Sequence, residues 1–391
     1  MSVAEFSKID HDVEIQHVSK QKGFISRESA VGDNHDWLVI VHWDSVKYAE
    51  VSMKSSKKIA FMAVLSFSIL SQVSLAQVDI MNDKEFNEVR EHLKSDFPGI
   101  PDKDVLQYLK DGGNYKPAPE LLSLSGVPKG VITGHTLVGS KAYPDVEHKY
   151  WIYIPANYND KKPTRLMVFL DGKSYLEYGK DKKYSFPVPN ALDNLIYQKQ
   201  IPPVIAVFID PGSKGDGLPI YGGKDNRSLE YDSADGKYAN FLVDEVLPLV
   251  QSRYNIAKDP ECRAVMGASS GGSGAFGVAW HRPDAFRKVI SSIGSYVNIR
   301  GSDYYISAVR QEEKKPIKVF LQDGKNEIDT VFGNWKLANE QMASSLDYKG
   351  YDYRFEQGDG GHNYVHMASL AGDAFRWIWN DKADEDSCII K

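Results

Sequence analysis

The chain of 391 residues is 42% hydrophobic and 26% charged, the mix of a globular protein, which excludes disordered, collagenous and polytopic membrane classes. Its 47 basic and 53 acidic side chains give a net charge of −6, too small and of the wrong sign for a nucleic-acid-binding surface. The two cysteines, Cys262 and Cys388, exclude a disulfide framework and a cysteine-rich metal site, and leave open whether they pair with each other.

In chain order, residues 1–52 carry a strand-like run WLVIVHW from Trp37 to Trp43. The stretch GFISRESAVGDNHDWLVIVHWDSVKYAEVS resembles one half of a small ferredoxin-like monooxygenase domain of the antibiotic-biosynthesis type. Half a domain cannot work alone, so residues 1–52 are read as a fragment, from a fusion or a start-site artefact, with no function assigned. Residues 53–76 continue with Met53, then Lys54, Lys57 and Lys58, an apolar run from Ile59 to Leu70, and Ser74-Leu75-Ala76 before Gln77. A basic start, a short apolar core and small residues ahead of the cut are the parts of a secretory signal peptide. The apolar run is well short of the ~20 residues of a membrane span. The expectation is therefore a periplasmic or secreted protein with no stable membrane span after cleavage, if translation starts at Met53.

Residues 77–129 are polar and punctuated by Pro and Gly, with amphipathic stretches EFNEVREHLKSDF and DKDVLQYLKDGG; they read as a helical or irregular leader packed against the remainder of the chain. From about residue 130 short apolar strands alternate with helical segments. Candidate strands are 150–154, 166–170, 204–209, 263–266, 288–293, 317–321 and 352–356, several of them continuous apolar runs, as strands covered on both faces should be. Candidate helices are 238–252, 272–281, 335–348 and 368–380. This alternation predicts an α/β fold with a mostly parallel central sheet and helices on both faces, over residues 130–381, ahead of a polar tail 382–391. The loop 210–235, rich in Gly, Asp and Tyr, is long enough to suggest a functional role.

The segment CRAVMGASSGGSGAF places a strand, then Gly267-Ala268-Ser269-Ser270-Gly271, then a helix: G-x-S-x-G in the strand–turn–helix context that exposes a nucleophilic serine. Ser269 is the candidate nucleophile, and the backbone N–H of Ser270 the candidate oxyanion donor. A serine hydroxyl needs a base, and the base needs a carboxylate to hold its tautomer. In the order Ser, acid, His, only His362 and His366 lie beyond an acid that itself comes after Ser269. His362, in GDGGHNYVH after a strand, is the better base; His366 reads as a helix-start or supporting residue. The strand end PIKVFLQDGKNEID offers Asp323, Glu327 and Asp329, of which Glu327, in a G-x-x-E turn, is favoured. A second oxyanion donor is expected after an earlier strand, where LMVFLDGKSY puts the amide of Lys173 behind Gly172. Tyr175, Tyr296, Asn298 and Trp335 stand near strand ends and are candidate substrate contacts, or ordinary core residues.

Together, VFLDGKSY, NRSLEYDSADGKYANFLVDEVLPLV, GASSGGSGAF, FLQDGKNEID and GDGGHNYVH resemble the putative esterase family that includes enterochelin esterases, esterase D, feruloyl and acetyl esterases and mycolyltransferases. The resemblance implies an α/β-hydrolase fold and a serine carboxylesterase mechanism without metal or organic cofactor, acting on a small-molecule or carbohydrate ester. By motif, Ser269 matches the nucleophile, Glu327 the acid and His362 the base. Asn363 departs from the Asp-Trp that usually stands after the histidine of enterochelin esterases, which weakens any transfer of siderophore specificity. Arg227 and Glu230 match a recurrent Arg-x-x-Glu pair, read first as a structural ion pair and then as substrate contacts. Acyl transfer with the same residues, and a non-catalytic binding module with a misassembled site, are the competing expectations.

Overall fold

A computed structural model of the chain describes residues 114–176, 186–213, 226–380 and 388, together with the backbone of two strands nearer the start. Those strands, β1 (Phe24–Val31) and β2 (Trp37–Trp43), pair antiparallel within a unit spanning Met1–Ile69, separate from the unit Leu70–Lys391. The signal-like segment 53–76, most of the leader, and the tail apart from Cys388 lie outside the described residues.

The second unit is built on an eight-stranded sheet. Its strands are β3 (Val131–Leu137), β4 (His148–Ile154), β5 (Arg165–Leu170), β6 (Val204–Ile209), β7 (Arg263–Ala268), β8 (Lys288–Ser292), β9 (Lys318–Asn326) and, after the short hairpin β10 (Asp329–Thr330) and β11 (Gly333–Asn334), β12 (Asp352–Gly361). The spatial order is β12-β9-β8-β7-β5-β6-β4-β3, parallel from β12 to β6 and antiparallel through β4 and β3. Helices fill the connections: α1 (Val188–Tyr197), α2 (Arg227–Tyr231), α3 (Lys237–Phe241), α4 (Leu247–Gln251), α5 (Ser270–His281), α6 (Tyr304–Gln311), α7 (Trp335–Tyr348), α8 (Tyr364–Ser369) and α9 (Ala371–Trp379).

The apolar runs are explained by burial on both faces. Side chains alternate along each strand, so Leu166, Val168, Val265, Val289, Val319 and Leu321 enter one core with Met342 and Leu346 of α7. Met167, Phe169, Ala264, Met266, Ile290 and Phe320 enter the other, against Leu192 and Leu195 of α1 and Phe375 and Ile378 of α9. Each of the larger side chains so buried, from Val to Phe, contributes about 1.5–3 kcal/mol.

Several segments differ from the sequence-based expectation: α1, α2, α6 and α8 were not expected, the expected helix 368–380 is interrupted at Leu370, and two further differences have a clear physical reason. The expected helix 238–252 is divided into α3, a π turn at Leu242–Val246, and α4; Pro248 has no N–H to continue the ladder, and the widened turn absorbs the defect. Strand β3, not expected, occupies the sheet edge, where Gly134 and His135 interrupt any apolar run and every side chain keeps some exposure.

Residues 114–129 pack across the helical layer that holds α1 and α9. Ala118 N–H donates to Ala368 O, Arg376 pairs with Glu120, and Asn194 Nδ2 donates to the carbonyls of Glu120 and Leu122. At the far end of β7, Cys262 and Cys388 form a disulfide with Cα atoms 5.9 Å apart, closing a separation of 126 residues.

Candidate active site

Parallel strands of the sheet deliver three side chains to one place. β7 runs into α5 through Ser269, whose φ of 58° and ψ of −127° are far outside the ordinary regions for a residue with a side chain. The flanking glycines make this turn possible: a Cβ on Gly267 would come within 2.1 Å of the Gly271 carbonyl oxygen, and one on Gly271 within 2.9 Å of Asp171 Oδ2. The turn is held by Ser269 N–H donating to Ser292 O (3.0 Å) and Ser295 N–H donating to Ser269 O (3.0 Å).

The Ser269 hydroxyl lies 2.8 Å from His362 Nε2, and His362 Nδ1 lies 2.7 Å from Glu327 Oε2. A carboxylate only accepts, so Nδ1 carries the proton and Nε2 is left as acceptor for the Ser269 hydroxyl. His362 comes directly after the last residue of β12, and Asn363 caps α8 by accepting from Val365 N–H at 3.0 Å. Trp335 stands edge to face against the imidazole with ring centroids 5.8 Å apart, and its indole N–H donates to Ser295 Oγ (3.2 Å). These distances do not fit a misassembled site.

The two other carboxylates have different surroundings. Asp323 remains in register with Gln357 inside the sheet and is completely buried, with the Gly324 backbone N–H beside its carboxyl. Burial, then the neighbouring Glu327, push its carboxyl well above the usual carboxylate range. Asp329 is exposed in the hairpin strand β10. Glu327 reaches the imidazole because it lies just past the end of β9, where the chain turns back.

The expected oxyanion donors part company. Ser270 is the first residue of α5, and first-turn amides have no acceptor within their own helix. The Lys173 amide instead donates to Asp210 Oδ1 at 2.8 Å, which removes it from the site. The cause is Asp171, at φ 61° and ψ 45°, which turns the chain into a 3-10 turn over Gly172–Tyr175 and aims the Lys173 amide at the end of β6.

Arg227 and Glu230 do not pair with each other. Arg227 Nε and Nη2 donate to the two oxygens of Asp171, each at 2.8 Å, and Nη2 also reaches Ala268 O at 3.3 Å. Arg227 thereby ties the end of β5 to the end of β7. Glu230 is buried against His148 Nε2 (3.0 Å). Of the other candidate contacts, Tyr175, Tyr296 and Trp335 are at most 1% exposed and belong to the cores, whereas Asn298 is exposed and bound through its backbone to Phe332 O. Their places near strand ends were legible in the sequence; the direction of their side chains was not.

Two buried groups lie near the site: Asp232, which carried no sequence signal, and His366, which the sequence offered as a helix-start or supporting residue. Asp232, after α2, is fully buried, and burial pushes its carboxyl up to about 7 despite Arg227 and the Ser228 and Ser270 hydroxyls nearby. His366 accepts at Nδ1 from Gln322 Nε2 (2.9 Å), and Gln322 Oε1 accepts from the Ser292 hydroxyl. Among the described residues no cluster of His, Cys, Asp and Glu is arranged to hold a metal ion, and no helix is long and apolar enough to cross a membrane.

The family model for putative esterases matches residues 142–373, more than half of the chain. The iron(III) enterobactin esterase of Dickeya dadantii is 25% identical over 249 residues, covering 60% of this chain, which spans about half (52%) of that relative's length. Among solved structures, the enterobactin esterase of Shigella flexneri has a TM-score of 0.52 at 22% identity, covering 68% of this chain and 62% of its own. A ferulic acid esterase of Anaeromyces mucronatus has a TM-score of 0.53 at 18% identity, covering 68% and 97%. Given this match and the strand order that carries the site, the chain belongs to the putative esterase family and has the α/β-hydrolase fold.

Proposed function

We propose that the protein is a serine-dependent hydrolase of carboxylic esters acting through an acyl-enzyme. Ser269 Oγ attacks the ester carbonyl while His362 Nε2 takes its proton, and Glu327 stabilises the imidazolium that forms. The Ser270 amide donates to the developing oxyanion, an interaction worth about 3–4 kcal/mol in such sites. His362 then returns the proton to the departing alcohol, and water repeats the sequence to release the acid. The observation that carries the reading is the continuous hydrogen-bonded series from Ser269 Oγ through the imidazole to Glu327, set on a strained strand-to-helix turn.

The substrate class we propose is a small ester joined to a carbohydrate or of siderophore type, in keeping with the names of the enterobactin and ferulic acid esterases that resemble this chain. Export through the signal-like segment 53–76 is part of the proposal. The Cys262–Cys388 bridge supports it, since such bridges persist in oxidising compartments; amino-terminal sequencing of the exported protein should begin at Gln77.

The direct test is turnover of p-nitrophenyl acetate by the full chain and by Ser269→Ala, then of feruloyl, acetyl-sugar and catechol-siderophore esters. Replacement of Ser269 should lower kcat by about 10⁴-fold or more with the fold intact. Equal activity in the two proteins would refute the nucleophile.

A further inference from the structure

Strand β12 loses its regular register to β9 between Gly358 and Gly361, immediately before His362. An irregularity of this kind leaves backbone groups without ladder partners and re-aims the chain beyond it. At Asp359 both groups are satisfied by side chains from elsewhere. Its carbonyl accepts from Asn326 Nδ2 (2.8 Å), and its N–H donates to the hydroxyl of Tyr115 (2.7 Å), a residue 244 positions earlier and ahead of the hydrolase sheet.

Tyr115 is itself held in place. Its ring stacks on His366 at a centroid distance of 4.3 Å and an interplanar angle of 19°. The two side chains fill the space over the loop: a Cβ on Gly358 would lie 2.1 Å from the Tyr115 hydroxyl and 2.6 Å from His366 Cε1. Through Gln322, His366 reaches Ser292, whose carbonyl holds the Ser269 amide. Burial keeps the His366 imidazole below its usual pKa, in the neutral form its accepting Nδ1 requires.

We propose that Tyr115 and His366 are a positioning pair that sets the loop carrying His362, so that the segment ahead of the sheet completes the catalytic apparatus. The proposal rests on the assignment of Ser269, His362 and Glu327 as the catalytic residues of an esterase. Neither Tyr115 nor His366 touches the reacting atoms; their effect passes through the direction of the His362 ring.

The test uses the full chain with Tyr115→Ala, Tyr115→Phe and, as a control on the exposed part of the same segment, Leu124→Ala. For each, kcat and KM on p-nitrophenyl acetate, the Nδ1–H proton resonance of His362 and the melting temperature are measured. Tyr115→Ala should lower kcat by about tenfold with KM within about twofold, because a small displacement of a reacting group is costly. The His362 resonance should shift or broaden. Tyr115→Phe, which keeps the ring stack and loses only the hydroxyl bond to Asp359, should fall between Tyr115→Ala and the parent, and Leu124→Ala should match the parent. An unchanged kcat and His362 resonance in folded Tyr115→Ala would overturn the proposal. If that variant does not fold, the same pair of readings on Tyr115→Phe decides, a loss of about threefold being expected and no change overturning it. If the parent itself shows no Ser269-dependent turnover, the esterase reading fails separately, and the His362 resonance alone judges the positioning pair.

Discussion

The two ends of β7, a strand of only six residues, are built differently. At the start, Cys262 is bridged to Cys388, Arg263 Nε donates to Ala257 O, and Lys288 Nζ donates to Glu261 O, so the strand is pinned by a covalent link and two hydrogen-bonded cations. At the finish, Ser269 sits in a strained backbone conformation, and Glu327, which holds the imidazole next to it, keeps one buried oxygen without a hydrogen-bond partner. The first end is pinned, and the second carries the residues to which the proposed function assigns the reaction. Strain and unsatisfied polar groups persist in a fold only where the surroundings over-determine them, and the pinned end of the strand supplies that support.

If this division is correct, changes at the finish should alter rate more than stability, and changes at the start should do the reverse. The largest effect after loss of Ser269 is expected from Glu327→Gln, which removes the carboxylate that fixes the His362 tautomer. A loss of roughly a thousandfold or more in kcat, with an unchanged melting temperature, is anticipated in steady-state assays. The neighbouring Asp323→Asn sharpens the contrast. Because burial and the neighbouring Glu327 push the Asp323 carboxyl toward its uncharged form, the amide is a close replacement, and kcat should remain within a few-fold of the parent. A loss at Asp323 as large as that at Glu327 would mean that the acid has been wrongly assigned.

At the other end, Cys388→Ser should cost about 2–5 kcal/mol in denaturant unfolding while leaving kcat at low temperature nearly unchanged. A rate loss without a stability loss would break the division between the two ends.

The smallest change is expected from Asp232, through pH. Its folded pKa, about 7, exceeds the ordinary value of 3.8, so between these values the folded state holds more protons than the unfolded one and stability falls as pH rises. Asp232→Asn should therefore flatten the stability profile across that window. At pH 8 it should be the more stable protein by on the order of 2–4 kcal/mol. A profile that keeps the parent's slope would show that another group is responsible.

Much of the fold was legible because its strands are covered on both faces: the runs at 166–170, 204–209 and 263–266 fall within sheet strands, and 317–321 starts one residue ahead of β9. β3 was illegible for the converse reason, since a half-exposed edge strand carrying Gly134 and His135 has no apolar run to read. At the site, residue type and order were enough to single out Ser269, His362 and Glu327, which the fold brings within hydrogen-bonding distance. Directions were not legible. Position placed the Lys173 amide at a strand end, but only the left-handed conformation of Asp171 decides that it faces Asp210. Nor could sequence spacing reveal that Tyr115 meets Asp359 across 244 residues.

The central claim, that Ser269 is an activated nucleophile, is tested most directly by reaction with a fluorophosphonate and peptide mass spectrometry of the product. One adduct per chain on the peptide containing Ser269, absent in Ser269→Ala and strongly slowed in His362→Ala, is the expected result. A parent protein that stays unlabelled, or that is labelled at another residue with equal efficiency in both variants, would contradict the account.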